Sequence, residues 1–286
     1  MKNVGYYNGV IGPIEQMTIP MNDRAVYFGD GVYDATYAAN RTIFEADAHI
    51  ARFFRSAQAL RISPPVTPDA LKAELQRCVN LVDSTGEVQV YFQCTRGTAP
   101  RSHPFPEGEA NLLITVRELP LTPLSQKGRA ILVEDTRYLH CNIKTINLLP
   151  NVMANQRAKE AGCCEAILHR GERVTECSHS NVHILKDGVL HTAPTDHLIL
   201  PGITRAHLLR VCKQLRIPAV EAPFTVEELF SADEVLVTSA GMLGLGICEV
   251  DGRPVGGRAP ELLTALQRTM VDDFYSETGY LPPILD

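Results

Sequence analysis

Apolar residues fall along this chain in short strand-like runs separated by turn residues, with a few stretches at helical spacing. Val4 to Tyr7, then Asn8-Gly9, then Val10-Ile11 predicts a hairpin, because Asn-Gly suits a type I′ turn. A second hairpin is predicted from Val32 to Ala38, a turn at Asn40-Arg41, and Thr42 to Phe44. Asp47 is placed to cap a helix whose stripe is Ile50, Phe53, Phe54, Ala57 and Leu60. Thr67-Pro68 opens another helix, with Leu71, Leu75, Cys78, Val79 and Val82 on one face. Strands follow at Val88 to Thr95 and Leu112 to Val116.

The stretch from Glu118 to Leu124 carries two prolines and no clear period, which marks it as a linker. The predicted division is a small domain over 1–117, a linker over 118–124 and a larger domain over 125–286. In the second part a strand at Ala130 to Val133 leads to a helix from about Pro150 that stops at Gly162. A meander is predicted over Glu165 to Thr192, with turns at Arg170-Gly171 and Asp187-Gly188. Helices near Thr204, Thr225 and Pro260 flank a strand at Glu234 to Val237. The whole reads as α+β with mainly hairpin-type connections.

Charge and composition narrow the class. A net charge of −6 with no basic stripe argues against a nucleic-acid partner, and no apolar run reaches membrane-spanning length. Eight cysteines are scattered without a CxxC pair and no signal peptide is visible, so reduced thiols and a cytoplasmic location are expected. His179 and His183 have i, i+4 spacing, but a strand holds such residues roughly 13 Å apart, so no metal site is predicted.

Among seven lysines and twenty arginines, Lys144 stands out because Cys141 to Leu149 around it is almost entirely apolar or neutral. Scarce water there lowers an amine's pKa and makes it a candidate for Schiff-base chemistry; the competing reading is a lysine whose stem packs and whose head reaches solvent. Glu176, within Thr175 to Val182, is a carboxylate among small polar residues that could pair with a protonated ring nitrogen. Pro201 to Arg205 precedes a helical stripe of Leu208, Leu209, Cys212 and Leu215. With Thr204 placed to cap it, that helix start suits a phosphate; the competing reading is an ordinary capped helix. Ser239 and Ala240 end a strand where a pocket could be lined, and Arg52 could reach a phosphate from the polar side of its helix. Arg101 can clamp a carboxylate through two parallel hydrogen bonds, with His103 as a second donor. No G-x-S-x-G elbow, P-loop or complete dinucleotide fingerprint occurs.

Six ordered blocks carry a family resemblance: Phe28 to Tyr33, Thr95 to His103, Cys141 to Leu149, Glu165 to Arg170, Thr175 to Val182 and Gly202 to Arg205. They resemble the class IV (branched-chain and D-amino-acid) aminotransferases, most closely the bacterial D-amino-acid aminotransferases. The resemblance implies pyridoxal 5′-phosphate (PLP) as cofactor. It also implies a small N-terminal α/β domain, a larger C-terminal pseudo-barrel domain and an active site between them. It implies that Lys144 forms the Schiff base and moves the substrate proton. Glu176 then pairs with the pyridine nitrogen, while Arg52, Ile203, Thr204, Ser239 and Ala240 hold the cofactor. Tyr33, Arg101 and His103 hold the substrate carboxylate, with Arg101 and His103 reaching across a homodimer. The implied reaction moves an amino group from a D-alanine-like donor to a 2-oxo acid such as 2-oxoglutarate by a ping-pong mechanism. His183 stands where the family usually has an aromatic, Ala240-Gly241 where hydroxyls are usual, and Asp34 where glutamate is common. These departures keep a branched-chain L-amino-acid transaminase, an R-selective amine transaminase and aminodeoxychorismate lyase open as alternatives; a non-enzymatic scaffold is a further reading, against which the retention of Lys144 and Glu176 argues.

Overall fold

The computed structural model describes residues 1–285. Contacts divide the chain into two compact units, and the division is not a single cut. Unit 1 is Met1–Pro120 with Ile143–Asn147 and Phe274–Tyr280, and unit 2 is Leu121–Asn142, Leu148–Asp273 and Leu281–Asp286.

Unit 1 is built on an antiparallel sheet. Its elements are β1 (Asn3–Tyr7), β2 (Val10–Gly12), α1 (Arg24–Phe28), β3 (Gly31–Ala39), β4 (Thr42–Ile43), α2 (Ala46–Ala59), α3 (Pro68–Leu81), β5 (Val88–Thr95) and β6 (Asn111–Glu118). The strand order is β2-β1-β6-β5-β3-β4. Asn8 and Gly9 both have positive φ, as the predicted first turn requires. The predicted stripes pack as a core: Ile50, Phe53 and Ala57 of α2 and Leu71, Leu75, Cys78 and Val79 of α3 meet Val90, Phe92 and Ile114 of the sheet. Thr67 caps α3 through Ala70 N–H. Asp47 does not cap α2. The cap is Glu45 in a left-handed conformation, its N–H donating to Glu277 Oε1 at 3.0 Å. That leaves Asp47 in the first turn, accepting from Lys72 Nζ.

Unit 2 contains β7 (Gly128–Glu134), α4 (Leu149–Glu160), β8 (Glu165–Arg170), β9 (Arg173–Cys177), β10 (Asn181–Lys186), β11 (Val189–Thr192), α5 (Ile203–Gln214), β12 (Ala219–Glu221), α6 (Val226–Ser231), β13 (Glu234–Ser239), β14 (Met242–Val250), β15 (Arg253–Pro254) and α7 (Pro260–Thr278), whose last turns belong to unit 1. The order β12-β11-β10-β13-β14-β7-β8-β9 overturns the predicted meander. β9 and β10 are three residues apart in sequence yet stand at opposite ends of the path β10-β13-β14-β7-β8-β9, so the sheet curls to bring them together. The backbone bond from Cys177 N–H to Ser180 O lies at the closure. Parallel pairing of β7 with β8 and with β14 accompanies the mainly hairpin-type connections. The first turn of the stretch Glu165 to Thr192 lies at Gly171-Glu172, one residue later than predicted.

A division between the units falls within the proline-bearing stretch, between Pro120 and Leu121. Glu118 still belongs to β6, and Leu121 and Leu124 are buried. Placing Ile143–Asn147 with unit 1 departs from the predicted 125–286 division for a concrete reason: this segment pairs with β3 through a Val32–Thr145 bridge.

Candidate active site

Lys144 lies on that paired segment. Tyr33 N–H donates to Lys144 O at 2.9 Å and Ile146 N–H to Gly31 O at 3.2 Å, while Thr145 Oγ1 donates to Gly31 O at 3.1 Å. The approach needs a glycine, since a Cβ on Gly31 would meet Cys94 O at 2.7 Å. Lys144 N–H donates to Ser56 Oγ on α2, which fixes the backbone from the other side. Lys144 is half-buried. Its Nζ stands 4.2 Å from the centroid of the Tyr33 ring, which stacks on Tyr91.

One turn and two turns back along α2 from Ser56 are Arg52 and His49, both buried. Arg52 is not on the polar side of its helix. Its Nε and Nη2 donate to Asp34 Oδ2 and Oδ1 at 2.8 and 2.7 Å, and His49 Nδ1 lies 2.7 Å from Asp34 Oδ1. Burial opposes ionisation of Asp34, but the charges of Arg52 and His49 outweigh it and hold the carboxyl well below the usual range. Burial also pulls His49 below its ordinary value, and the positive charges of Arg52 and Lys144 add to that against the pull of Asp34.

Unit 2 carries the predicted carboxylate. Glu176 on β9 accepts from Arg137 Nη1, from Asn181 Nδ2 at 3.0 Å and from Leu200 N–H at 3.0 Å. Arg137 is held in turn by Asp135, through Nε and Nη2 at 2.9 and 3.0 Å, and by Leu198 O. A cationic donor and two neutral ones match an ionised carboxylate fixed in orientation.

Asn181 ties this carboxylate to the helix start. Its Nδ2 also donates to Leu200 O, and its Oδ1 lies where a Cβ on Gly202 would come within 2.0 Å. In the ladder Asn181 faces Thr238, the residue before Ser239. Gly202, not Thr204, is the N-cap of α5, and no side chain closes that end. Thr204 is buried in the first turn. Ser239 pairs with Met242, so Ala240-Gly241 form a two-residue turn beside a bulge at Val237/Thr238. Below it, His183 bridges Thr192 Oγ1 at 2.9 Å and Thr238 Oγ1 at 2.8 Å, and burial with the charge of Arg205 lowers its pKa to about 3.

Arg101 and His103 are exposed on the loop after β5. Both rest on the ring of Phe28: the Arg101 guanidinium carbon is 5.1 Å from its centroid and the His103 ring 5.3 Å away.

The family model described as amino-transferase class IV matches residues 31–250. The chain is a class IV aminotransferase. It is 38% identical over 274 residues to a D-alanine aminotransferase of Listeria monocytogenes serotype 4b, covering 93% of this chain and 94% of that one. Against a D-alanine aminotransferase of Bacillus licheniformis it is 36% identical over 278 residues, 96% and 98% of the two chains. The fold is that of a branched-chain aminotransferase from Thermoproteus uzoniensis (TM-score 0.87, 23% identity, 98% and 99% covered). It is also that of one from Escherichia coli (TM-score 0.86, 22% identity, 98% and 95% covered).

Aminotransferases of this class use PLP, and the donor set here suits that group. An uncapped helix start suits a phosphate dianion, and a carboxylate fixed by three N–H donors suits a protonated pyridine. The structure also brings to the candidate site residues to which sequence reasoning gave no role there. Asn181 and Arg137 position Glu176, and Asp34 and His49 position Arg52. Asn181 was visible in the Thr175 to Val182 block, but its contacts come from Leu200 and Gly202, about twenty residues later. Arg137 and Asp135 carried no local signal.

Proposed function

We propose that this aminotransferase moves the amino group of a D-alanine-like donor to a 2-oxo acid such as 2-oxoglutarate. The observation that carries the reading is the pairing of Arg101 with His103 on one ring, a donor set suited to a carboxylate. Relatives named D-alanine aminotransferase, similar over nearly the whole chain, support it.

Bound PLP supplies an aldehyde that condenses with amines and a ring that withdraws electrons. Lys144 Nζ provides the amine and moves the proton at the substrate Cα. Glu176 keeps a proton on the ring nitrogen, and its contact with Arg137 resists any drift in its position. The N–H groups of Ile203 and Thr204 at the α5 start, Ser239 with the Ala240 turn, and Arg52 hold the phosphate. Tyr33, Arg101 and His103 orient the α-carboxylate. One clamp serves donor and acceptor in turn, which favours a ping-pong order in which the first oxo acid leaves before the second binds.

A homodimer is part of this reading, with Arg101 and His103 serving the partner's site. Exposed apolar residues support it: Met21, Val26 and Tyr27 in unit 1, Leu149, Val152 and Met153 in unit 2. The cytoplasm is the compartment that eight unpaired cysteines favour. A branched-chain L-amino-acid preference is the second reading, favoured by the hydroxyl-free Ala240-Gly241 turn. Incubating the PLP-loaded enzyme with D- or L-alanine plus 2-oxoglutarate decides between them: pyruvate is expected from the D isomer, and turnover of the L isomer alone overturns the proposal.

A further inference from the structure

The loop that bears Arg101 and His103 has no strand partner over residues 101–105, yet it converges on one buried cation. Arg24, at the start of α1, is 3% exposed. Its Nη1 donates to Ser102 O at 2.5 Å and to Pro104 O at 3.4 Å, and its Nη2 to His103 O at 3.4 Å. Three consecutive carbonyls are thereby turned inward onto one guanidinium. Nε donates to Asp30 Oδ2 at 2.7 Å, which balances the buried charge, and Asp30 also accepts from Arg96 Nε. The Arg24 guanidinium carbon is 4.8 Å from the centroid of Phe28, the same ring that carries Arg101 and His103. Farther along, Phe105 lies under Arg96 at 3.7 Å.

We propose that Arg24, backed by Asp30 and with Phe28 as a platform, is the positioning residue that pre-forms the carboxylate clamp. The inference rests on Arg101 and His103 being that clamp. Unpaired loop backbone samples many states, and fixing each residue costs about 1–2 kcal/mol in conformational entropy. Arg24 meets that cost during folding, so substrate binding does not. A lysine cannot replace it, because a point charge lacks the planar fork that reaches three carbonyls.

The test measures KM and kcat for D-alanine and 2-oxoglutarate in PLP-loaded Arg24→Lys, Phe28→Leu and Arg101→Ala. Arg24→Lys and Phe28→Leu are expected to raise KM for both substrates about tenfold, with kcat within about twofold and the absorption spectrum of bound PLP unaltered. If Arg101→Ala raises both KM values while Arg24→Lys and Phe28→Leu leave them unmoved, the positioning role is overturned and the clamp stands. If Arg101→Ala itself leaves both KM values unmoved, the clamp falls and the inference with it. A loss of kcat and melting temperature at constant KM in Arg24→Lys marks a merely structural residue and overturns the proposal. Should Arg24→Lys fail to fold, Asp30→Asn, which removes the counter-charge at Arg24 Nε and leaves the Phe28 ring in place, decides by the same KM readout.

Discussion

Single residues in this protein are decided by what else is buried beside them. Glu176 and Asp135 share Arg137, so removing the cation leaves two carboxylates without their common partner. Arg137→Met is expected to destabilise the fold by about 3–5 kcal/mol, the range for breaking a buried ion pair, read from urea unfolding. Glu176→Gln keeps the shape and loses the charge. It should still bind PLP while kcat falls at least about a hundredfold, since the ring nitrogen loses the partner that favours its proton; near-normal turnover contradicts the role. His183 gives a pH signature. Its folded-state pKa of about 3 lies below the ordinary value near 6.5, so the unfolded chain binds its proton first. The associated stability is complete above about pH 6.5 and drains away as pH falls towards 3, a term of order 4–5 kcal/mol. Urea midpoints measured from pH 7 to 4 should fall more steeply for the native protein than for His183→Gln, and equal slopes refute the assignment.

Elements set the distance between functional groups. Asn181 ties β9, β10 and the start of α5, and it does so because Gly202 has no Cβ to block it. Gly202→Ala forces either the helix start or the Asn181 amide to shift. It is expected to weaken PLP binding about tenfold or more, measured by cofactor titration, and unchanged affinity counts against the α5 start as phosphate cradle. The sequence was legible at this scale where periodicity was local. The α2 and α3 stripes, the Asn8-Gly9 turn and the cap at Thr67 all follow from nearest neighbours. Predictions resting on a lone capping residue fared worse: Asp47 and Thr204 both sit inside the first turn, because Glu277 and Asn181, distant in sequence, decide where each chain segment bends.

For the whole molecule, the proposed exchange of Arg101 between subunits has a sharp consequence. At substrate well below the raised KM of Arg101→Ala, Lys144→Ala and Arg101→Ala should each show little activity alone, whereas co-expressing them yields hybrid dimers with one intact site, about a quarter of native activity by random pairing. No recovery means the clamp serves its own subunit. The curled sheet of unit 2 bears on the same scale. Placing β9 beside β10 while pairing them with different strands was not readable as a pattern, since each hairpin in the meander looked locally sound.

The sequence alone determined the candidate groups: a basic loop at Arg101 and His103, an amine at Lys144, a carboxylate at Glu176 and a glycine-opened helix at Gly202. Residue type and spacing are local, so they are enough to name candidates, and the ordered blocks of the family resemblance give those candidates roles. Tertiary structure alone decided that Lys144 joins the β3 side of the chain, that Arg52 is held by Asp34, and that Asn181 sets Glu176 against Gly202. These depend on hydrogen bonds between residues far apart in the chain, whose geometry exists only after the strands between them have paired.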